Sequence, residues 1–227
     1  MNQRRILMLS LAVIAASWSY TIWMVVRAPF VAPAQFSALV LDIAIRKTIV
    51  LSVIVALLWA GSESLRSIGF VSPRWIPAIG RGVVYGLLVF IILNVALPSA
   101  LAAVVSAPGA ENAGSLTVFF RDPTHLLAWI PIGVIGGGLV EEIERAFVLT
   151  RFEQWLGKYG IYVGLALSSA IFGVAHLYQS TVAGLSAAVS GLVFGLIYLR
   201  RRSGIEAAAS HACADMLGVI AATLLAR

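Results

Sequence analysis

The sequence predicts an all-α fold, a polytopic transmembrane helix bundle of seven to eight spans, and three observations carry that expectation. Hydrophobic residues make up 60% of the 227 positions and charged residues only 11%, with a mean hydropathy of +0.96; an average soluble domain carries roughly 25% charge. Long runs such as residues 6–26 and 82–110 contain no Asp, Glu, Lys or Arg. The basic residues fall between these runs and form no surface stripe. The net charge of +6 is therefore read as membrane topology, with membrane lipid and not nucleic acid as the partner it implies.

Residues 6–26 follow Arg4 and Arg5. They are long enough to span a bilayer and too long for a signal-peptide core of about 7 to 15 residues, so they are expected to be an uncleaved first helix. Pro29 and Pro33 mark a connection, and residues 36–60 form the second span. Asp42 and Arg46 are spaced to pair there, beside Lys47; an interfacial helix ahead of a short span is the alternative. Residues 61–81, with Arg66, Pro73, Arg74 and Pro77, read as a loop. Residues 82–110 suit one long or tilted helix, with Pro98 as its kink or end.

A loop with Glu111, Asn112, Arg121 and Asp122 precedes the fourth span, which starts near Pro123 and ends before a polar connection of Arg151, Glu153 and Lys158. Residues 159–199 lack Asp, Glu, Lys and Arg, which predicts two spans and a tight turn near Gln179 and Ser180. Arg200, Arg201 and Arg202 stop the sixth span, and residues 204–226 supply the seventh. With the N-terminus inside, Arg4, Arg5, Arg66, Arg74, Arg81, Arg151, Lys158 and Arg200 to Arg202 are inside. Only Arg27, Arg121 and Arg227 lie outside, joined by Arg46 and Lys47 if those are counted there. This excess predicts a multi-pass protein of the plasma membrane (the inner membrane, in a bacterium) with a cytoplasmic N-terminus. There is no internal repeat, and the single cysteine, Cys213, excludes an internal disulfide and a cysteine metal cluster; it reads as a small space-filling residue.

The stretch from Gly136 to Phe152, GGGLVEEIERAFVLTRF, places three carboxylates and two arginines, Arg145 and Arg151, inside this apolar frame. Ionisable groups at membrane depth cost roughly 2.5 to 3.5 kcal/mol each on insertion scales, so they persist when paired, hydrated or at work. Two further polar signals lie in apolar helices. FGVAH runs from Phe172 to His176, and HACAD from His211 to Asp215 puts imidazole and carboxylate on one helix face. Carboxylates with His176, His211 and Asp215 are the residue types that activate water. His125, at the outer end of the fourth span, has no motif around it and reads as an interfacial residue.

This ordered set resembles the CPBP family of intramembrane proteases, also called the Abi family, which includes the type II C-a-a-X prenyl endopeptidases. Where the family pattern has E-E-x-x-x-R, F-x-x-x-H and H-x-x-x-N/D, this sequence reads EEIER, FGVAH and HACAD, and the resemblance covers about residues 125–226. It implies one membrane-embedded domain over residues 1–227, with 123–226 as catalytic core helices. It also implies an endopeptidase that hydrolyses peptide bonds of membrane-associated, in some members prenylated, peptide or protein substrates. The first-motif Glu, Glu141 or Glu142, would activate water, and His176, His211 and Asp215 would complete the site, with Phe172 and Arg145 in support. Zn²⁺ on His176, His211, Asp215 and a Glu, and a metal-free site in which His stabilises the oxyanion, both use these residues.

EEIER is one residue shorter than the family pattern. A Glu141–Arg145 pair at i, i+4 is the expected one and leaves Glu142, whose own i+4 neighbour is Ala146, as the base; the alternative, a Glu142–Arg145 pair at i, i+3, would leave Glu141. The depths also conflict. Counted at about 1.5 Å per residue from the expected cytoplasmic ends, Glu141 and His211 lie about 10 to 15 Å deep and His176 about 20 Å or more. Either the fifth span begins nearer Gly164 or the helix boundaries are displaced. The competing functions are a non-catalytic membrane scaffold or bacteriocin-immunity protein of the same family, and a proton-coupled transporter.

Overall fold

In the computed structural model, which describes residues 2–27, 35–104, 119 and 122–225, the apolar runs are helical and the described residues contain no strand. The connection with Pro29 and Pro33, the loop residues Glu111, Asn112 and Arg121, and Arg227 lie outside the described residues. Helices α1 (Gln3–Arg27) and α2 (Phe36–Ala60) follow the first two runs. The second is one continuous helix, so the interfacial alternative is not adopted, and Arg46 pairs with Asp42 at 2.9 Å as its spacing predicts.

Helix α3 (Trp75–Val89) begins earlier than expected: residues up to Arg81 are helical, not loop. Pro77 is tolerated because it lies in the first turn, where backbone N–H groups have no intrahelical acceptor. Pro98 neither ends the helix nor breaks it. A π-helical stretch, Phe90–Ala96, precedes it and α4 (Leu97–Val104) carries the chain past it. Proline has no N–H for the carbonyl four residues back, and the wider winding absorbs that loss.

The second half opens on a 3₁₀ turn, Pro123–His125, where Asp122 Oδ1 accepts the Thr124 amide at 2.9 Å and its hydroxyl at 2.7 Å. Those two hydrogen bonds hold the exposed Asp122 carboxyl below its usual range. His125 donates from Nδ1 to the Phe119 carbonyl at 2.9 Å and stacks on Phe36, a packing role at the helix end. Then come α5 (Leu126–Pro131), a second π-helical stretch (Ile132–Glu141), α6 (Glu142–Leu156), a 3₁₀ turn (Gly157–Tyr159) and α7 (Gly160–His176). Finally α8 (Thr181–Arg201) starts where Ser180 Oγ accepts from the Ala183 amide, the expected turn, and α9 (Gly204–Leu225) closes the bundle.

Six segments are long and apolar enough to cross a membrane, not the seven to eight expected. The difference lies in Leu126–His176, which is one segment by composition but contains the turn at Gly157, where φ is +73°. Bulky apolar side chains such as Trp23, Leu41, Trp59, Val84 and Leu127 cover the outward faces. With six such helices, this is an integral membrane protein.

Helix α6 is the packing centre. Ile143 and Ala146 to Leu149 are buried against Ile14 of α1, Ile54 and Leu58 of α2, Leu165 of α7, Tyr198 of α8 and Ala207 of α9. It also runs further than the polar residues suggested. Arg151 is not in a connection: it is 1% exposed inside α6, with Nη1 donating to Glu63 Oε1 at 2.7 Å. Arg202 clasps Glu153 with two bonds of 2.7 Å, Arg81 pairs with Glu206 at 2.8 Å, and Gln3 Nε2 donates to the Gly61 carbonyl. These contacts gather the ends of α1, α2, α3, α6, α8 and α9 into one charged rim.

Glycines set how closely α9 approaches. A Cβ on Gly138 would lie 2.5 Å from Ala212 Cβ and 2.9 Å from the Ala208 carbonyl oxygen, whereas one on Gly136 would meet only the Lys47 stem at 3.9 Å. Gly138→Ala is therefore expected to destabilise by about 1–3 kcal/mol through overpacking. Gly136→Ala should be neutral or stabilising, since alanine favours helix by about 1 kcal/mol over glycine. Thermal unfolding in detergent micelles checks the order; equal midpoints for the two variants would contradict the close approach of α9.

Candidate active site

The three motifs meet around His211. Its Nδ1 donates to Glu142 Oε1 at 2.9 Å, and its Nε2 lies 3.7 Å from Glu141 Oε2 and 3.5 Å from Asp215 Oδ1. The i, i+4 spacing of HACAD thus places Asp215 beside His211, as expected. Phe194 of α8 stacks flat on the imidazole at 4.3 Å, and Phe172 of α7 meets it edge-on at 5.9 Å. The ring is 4% exposed, so both its rotation and its access to water are restricted.

Arg145 settles the pairing within EEIER. Its Nε donates to both Glu142 oxygens at 3.1 and 3.2 Å, and both side chains are buried, 4% and 1% exposed. The Glu141–Arg145 pair is not formed. Positions three and four apart lie on the same helix face, so the shortened motif keeps its ion pair by using i, i+3. Room for the guanidinium comes from α8: a Cβ on Gly191 would stand 3.1 Å from Arg145 Nη1, and the Phe172 ring covers its other side at 5.0 Å.

Glu141 is held by a residue that the motifs did not include. Lys47 of α2 donates from Nζ to Glu141 Oε1 at 2.5 Å, with both side chains partly exposed. A signal for it exists in the sequence. Its neighbours at i±3 and i±4, Ala44, Val50, Ile43 and Leu51, are apolar, and Asp42 is taken by Arg46, so this intramembrane ammonium must find its counter-ion on another helix. Phe194, also missed, carries no such signal, because a phenylalanine in an apolar helix looks the same whether it stacks on a histidine or on a leucine.

His176, the last residue of α7, stands beside the Phe172 ring at 4.5 Å and interacts electrostatically with Glu141. Its Nδ1 is 2.7 Å from the Phe172 carbonyl oxygen. A carbonyl only accepts, so Nδ1 carries the hydrogen and Nε2 is the nitrogen left for chemistry. Between Glu142 and His176 the conflict in depth disappears. From the turn at Gly157, α6 rises about 21 Å to Glu142 and α7 about 24 Å to His176 at 1.5 Å per residue. The fifth span does not begin later; the fourth ends later, at Leu156 beyond Arg151.

The stretch Gly136 to Gly138 lets these groups converge. A Cβ on Gly137 would collide with Asp215 Oδ2 and come within 3.6 Å of His211 Nε2. Among the described residues, no three His, Cys, Asp or Glu side chains are placed to hold a metal ion. The zinc arrangement on His176, His211 and Asp215 is not formed, and the Lys47 ammonium stands on Glu141 where a cation would bind. An open pocket of about 970 Å³, lined by Phe36, Val40, Phe119 and His125 among others, lies at the opposite end of α2 from the charged rim and includes no motif residue.

Residues 123–217, which carry all three motifs, match the family model for type II CAAX prenyl endopeptidases, Rce1-like. The match supports the CPBP/CAAX protease family. Comparisons with curated proteins and with solved structures give no match. In this Rce1-like segment, Glu142, Arg145 and His211 form a buried network between α6 and α9, while Glu141 and Asp215 keep exposed surface.

Removing one partner of a buried ion pair costs about 3–5 kcal/mol because the other charge is stranded. Arg145→Met is expected to destabilise by that amount. Adding Glu142→Gln in the same chain should recover part of the loss, as read from unfolding midpoints at matched detergent. A double variant no more stable than Arg145→Met alone would mean that the pair is not what the arginine contributes.

Proposed function

We propose that the protein is an intramembrane endopeptidase in which Glu141 is the general base, acting on membrane-associated peptides whose C-terminal region carries a lipid. One observation carries the assignment of the base: both Glu142 oxygens are committed to Arg145 and His211, whereas Glu141 shares one oxygen with Lys47 and keeps partly exposed surface. A base must reach its water, and Glu142 is closed off by its partners. The family match favours peptide hydrolysis over the transporter reading.

In this mechanism the Glu141 carboxylate takes a proton from water as the oxygen adds to the scissile carbonyl. The proton then passes from Glu141 to the leaving nitrogen as the C–N bond breaks, which regenerates the carboxylate. His176 Nε2 is the ring nitrogen left for the oxyanion, serving as donor when it carries a proton, while His211, with Nδ1 on Glu142 and Nε2 facing Glu141 and Asp215, holds the carboxylates in place. Asp215 orients His211 from the side away from Glu142. The chain crosses the bilayer seven times if Leu126–His176 counts as two spans folded at Gly157. The charged rim then faces the cytoplasm by the excess of basic residues, with the N-terminus on that side.

The test is cleavage of an internally quenched peptide bearing an S-farnesyl cysteine near its C-terminus, with variants compared at equal folded amounts. Glu141→Gln should lose about 10²-fold or more in kcat, the contribution typical of a general base. Cleavage undiminished in Glu141→Gln would defeat the assignment, and a folded wild-type protein that cuts no such peptide would return the chain to the non-catalytic reading. Accessibility of a cysteine placed at Lys158 reads the topology, and labelling from the outside would overturn the orientation.

A further inference from the structure

Glu144 is the third carboxylate of EEIER, and the ion pairs above leave it unused. It lies one turn beyond Glu141 on α6, in the same partly buried zone, and among the described residues it has no hydrogen bond and no ion pair. A carboxylate at membrane depth without a partner is costly. The basic side chain from outside α6 that acts on it is Lys47, whose ammonium is acted on by Glu141, Glu144 and Asp215. Asp215 is 3.5 Å from His211, which leaves Glu144 as the carboxylate free to receive a lysine.

The path for such a movement is short. On a helix, residues three apart differ by about 60° around the axis and about 4.5 Å along it. The Lys47 stem lies beside Gly136, where an added Cβ would be 3.9 Å from its Cγ and Cε. A four-carbon stem can swing its ammonium over that distance by rotating side-chain bonds, with α2 unmoved.

We propose that Lys47 is a positioning residue of this site with two seats: its ammonium rests on Glu141, holding that carboxylate anionic and oriented, and moves to Glu144 when water and peptide take up the Glu141 oxygen. Glu144 is the counter-ion that keeps the displaced lysine from being stranded in the bundle. The kinetic half of the inference rests on Glu141 being the base; the two-seat half does not.

The chain suits a direct test, because Lys158 is its only other lysine and is exposed at the charged rim. The wild type and the Glu141→Gln, Glu144→Gln and double variants would be reductively methylated with formaldehyde and a borane. The rate at Lys47 relative to Lys158 is then read by mass spectrometry. An ammonium held by a carboxylate reacts slowly, so each single variant should stay within about threefold of wild type, and the double should rise about tenfold or more. A full rise in Glu141→Gln alone, or no rise in the double, would overturn the second seat.

For positioning, Lys47→Gln should lower kcat on the farnesylated peptide by about 10²-fold with KM within about twofold, since misplacement of a reacting group costs that much. Lys47→Arg, which keeps the charge, should restore most of the rate. Unchanged kcat in folded Lys47→Gln would overturn the positioning role. If the wild type cuts no peptide, the proposed function fails, and the methylation rates still decide the two seats.

Discussion

A buried charge that cannot be left alone organises this molecule. Glu142 and Arg145 are almost wholly enclosed, and in a medium without water each is tolerable only beside the other. Their pairing uses one face of α6 and dictates what must surround it. A gap in α8 at Gly191 admits the guanidinium, the Phe172 ring lies over it, and the His211 imidazole shares Glu142 Oε1 with the arginine from the side of α9. Three helices are placed by one ion pair, and the placement decides which glutamate is closed and which is open.

The second constraint is room. Two helices that meet through polar side chains stand apart unless small residues let their backbones close in. Residues Gly136 to Gly138 answer that need on three sides at once: under the Lys47 stem, beside Asp215 and His211, and against Ala212. They lie in the π-helical stretch that ends at Glu141. Extra winding just before a functional residue is a familiar association of π geometry. Here Glu141, its last residue, meets Lys47 of α2, while Glu142, the first residue of α6, meets Arg145.

The charged rim works differently from the buried network. Arg202–Glu153 is partly exposed and screened, so its contribution to stability is small. Arg151–Glu63 and Arg81–Glu206 each bury one partner completely, and they fix helix ends to one another. The turn at Gly157 reverses the chain between α6 and α7. Glu141 and His176 consequently arrive at matching height, although they are separated by the full length of both helices.

Much of this was legible in the chain. Uncharged runs determined the helices and the membrane environment, because a bilayer admits little else, and the spacing of HACAD determined that His211 and Asp215 share a face. The three motifs named the residues that meet. The extent of α6 was not legible, since Arg151 reads as a loop residue until Glu63, distant in the sequence, is seen beside it. Nor was the choice between i+3 and i+4 for Arg145, which local geometry leaves nearly equal in energy. Lys47 shows the boundary between the two kinds of information. The sequence alone determined that it needs a carboxylate on another helix; only the tertiary packing decided that the carboxylate is Glu141, because which charges meet across helices depends on where glycine lets the backbones approach.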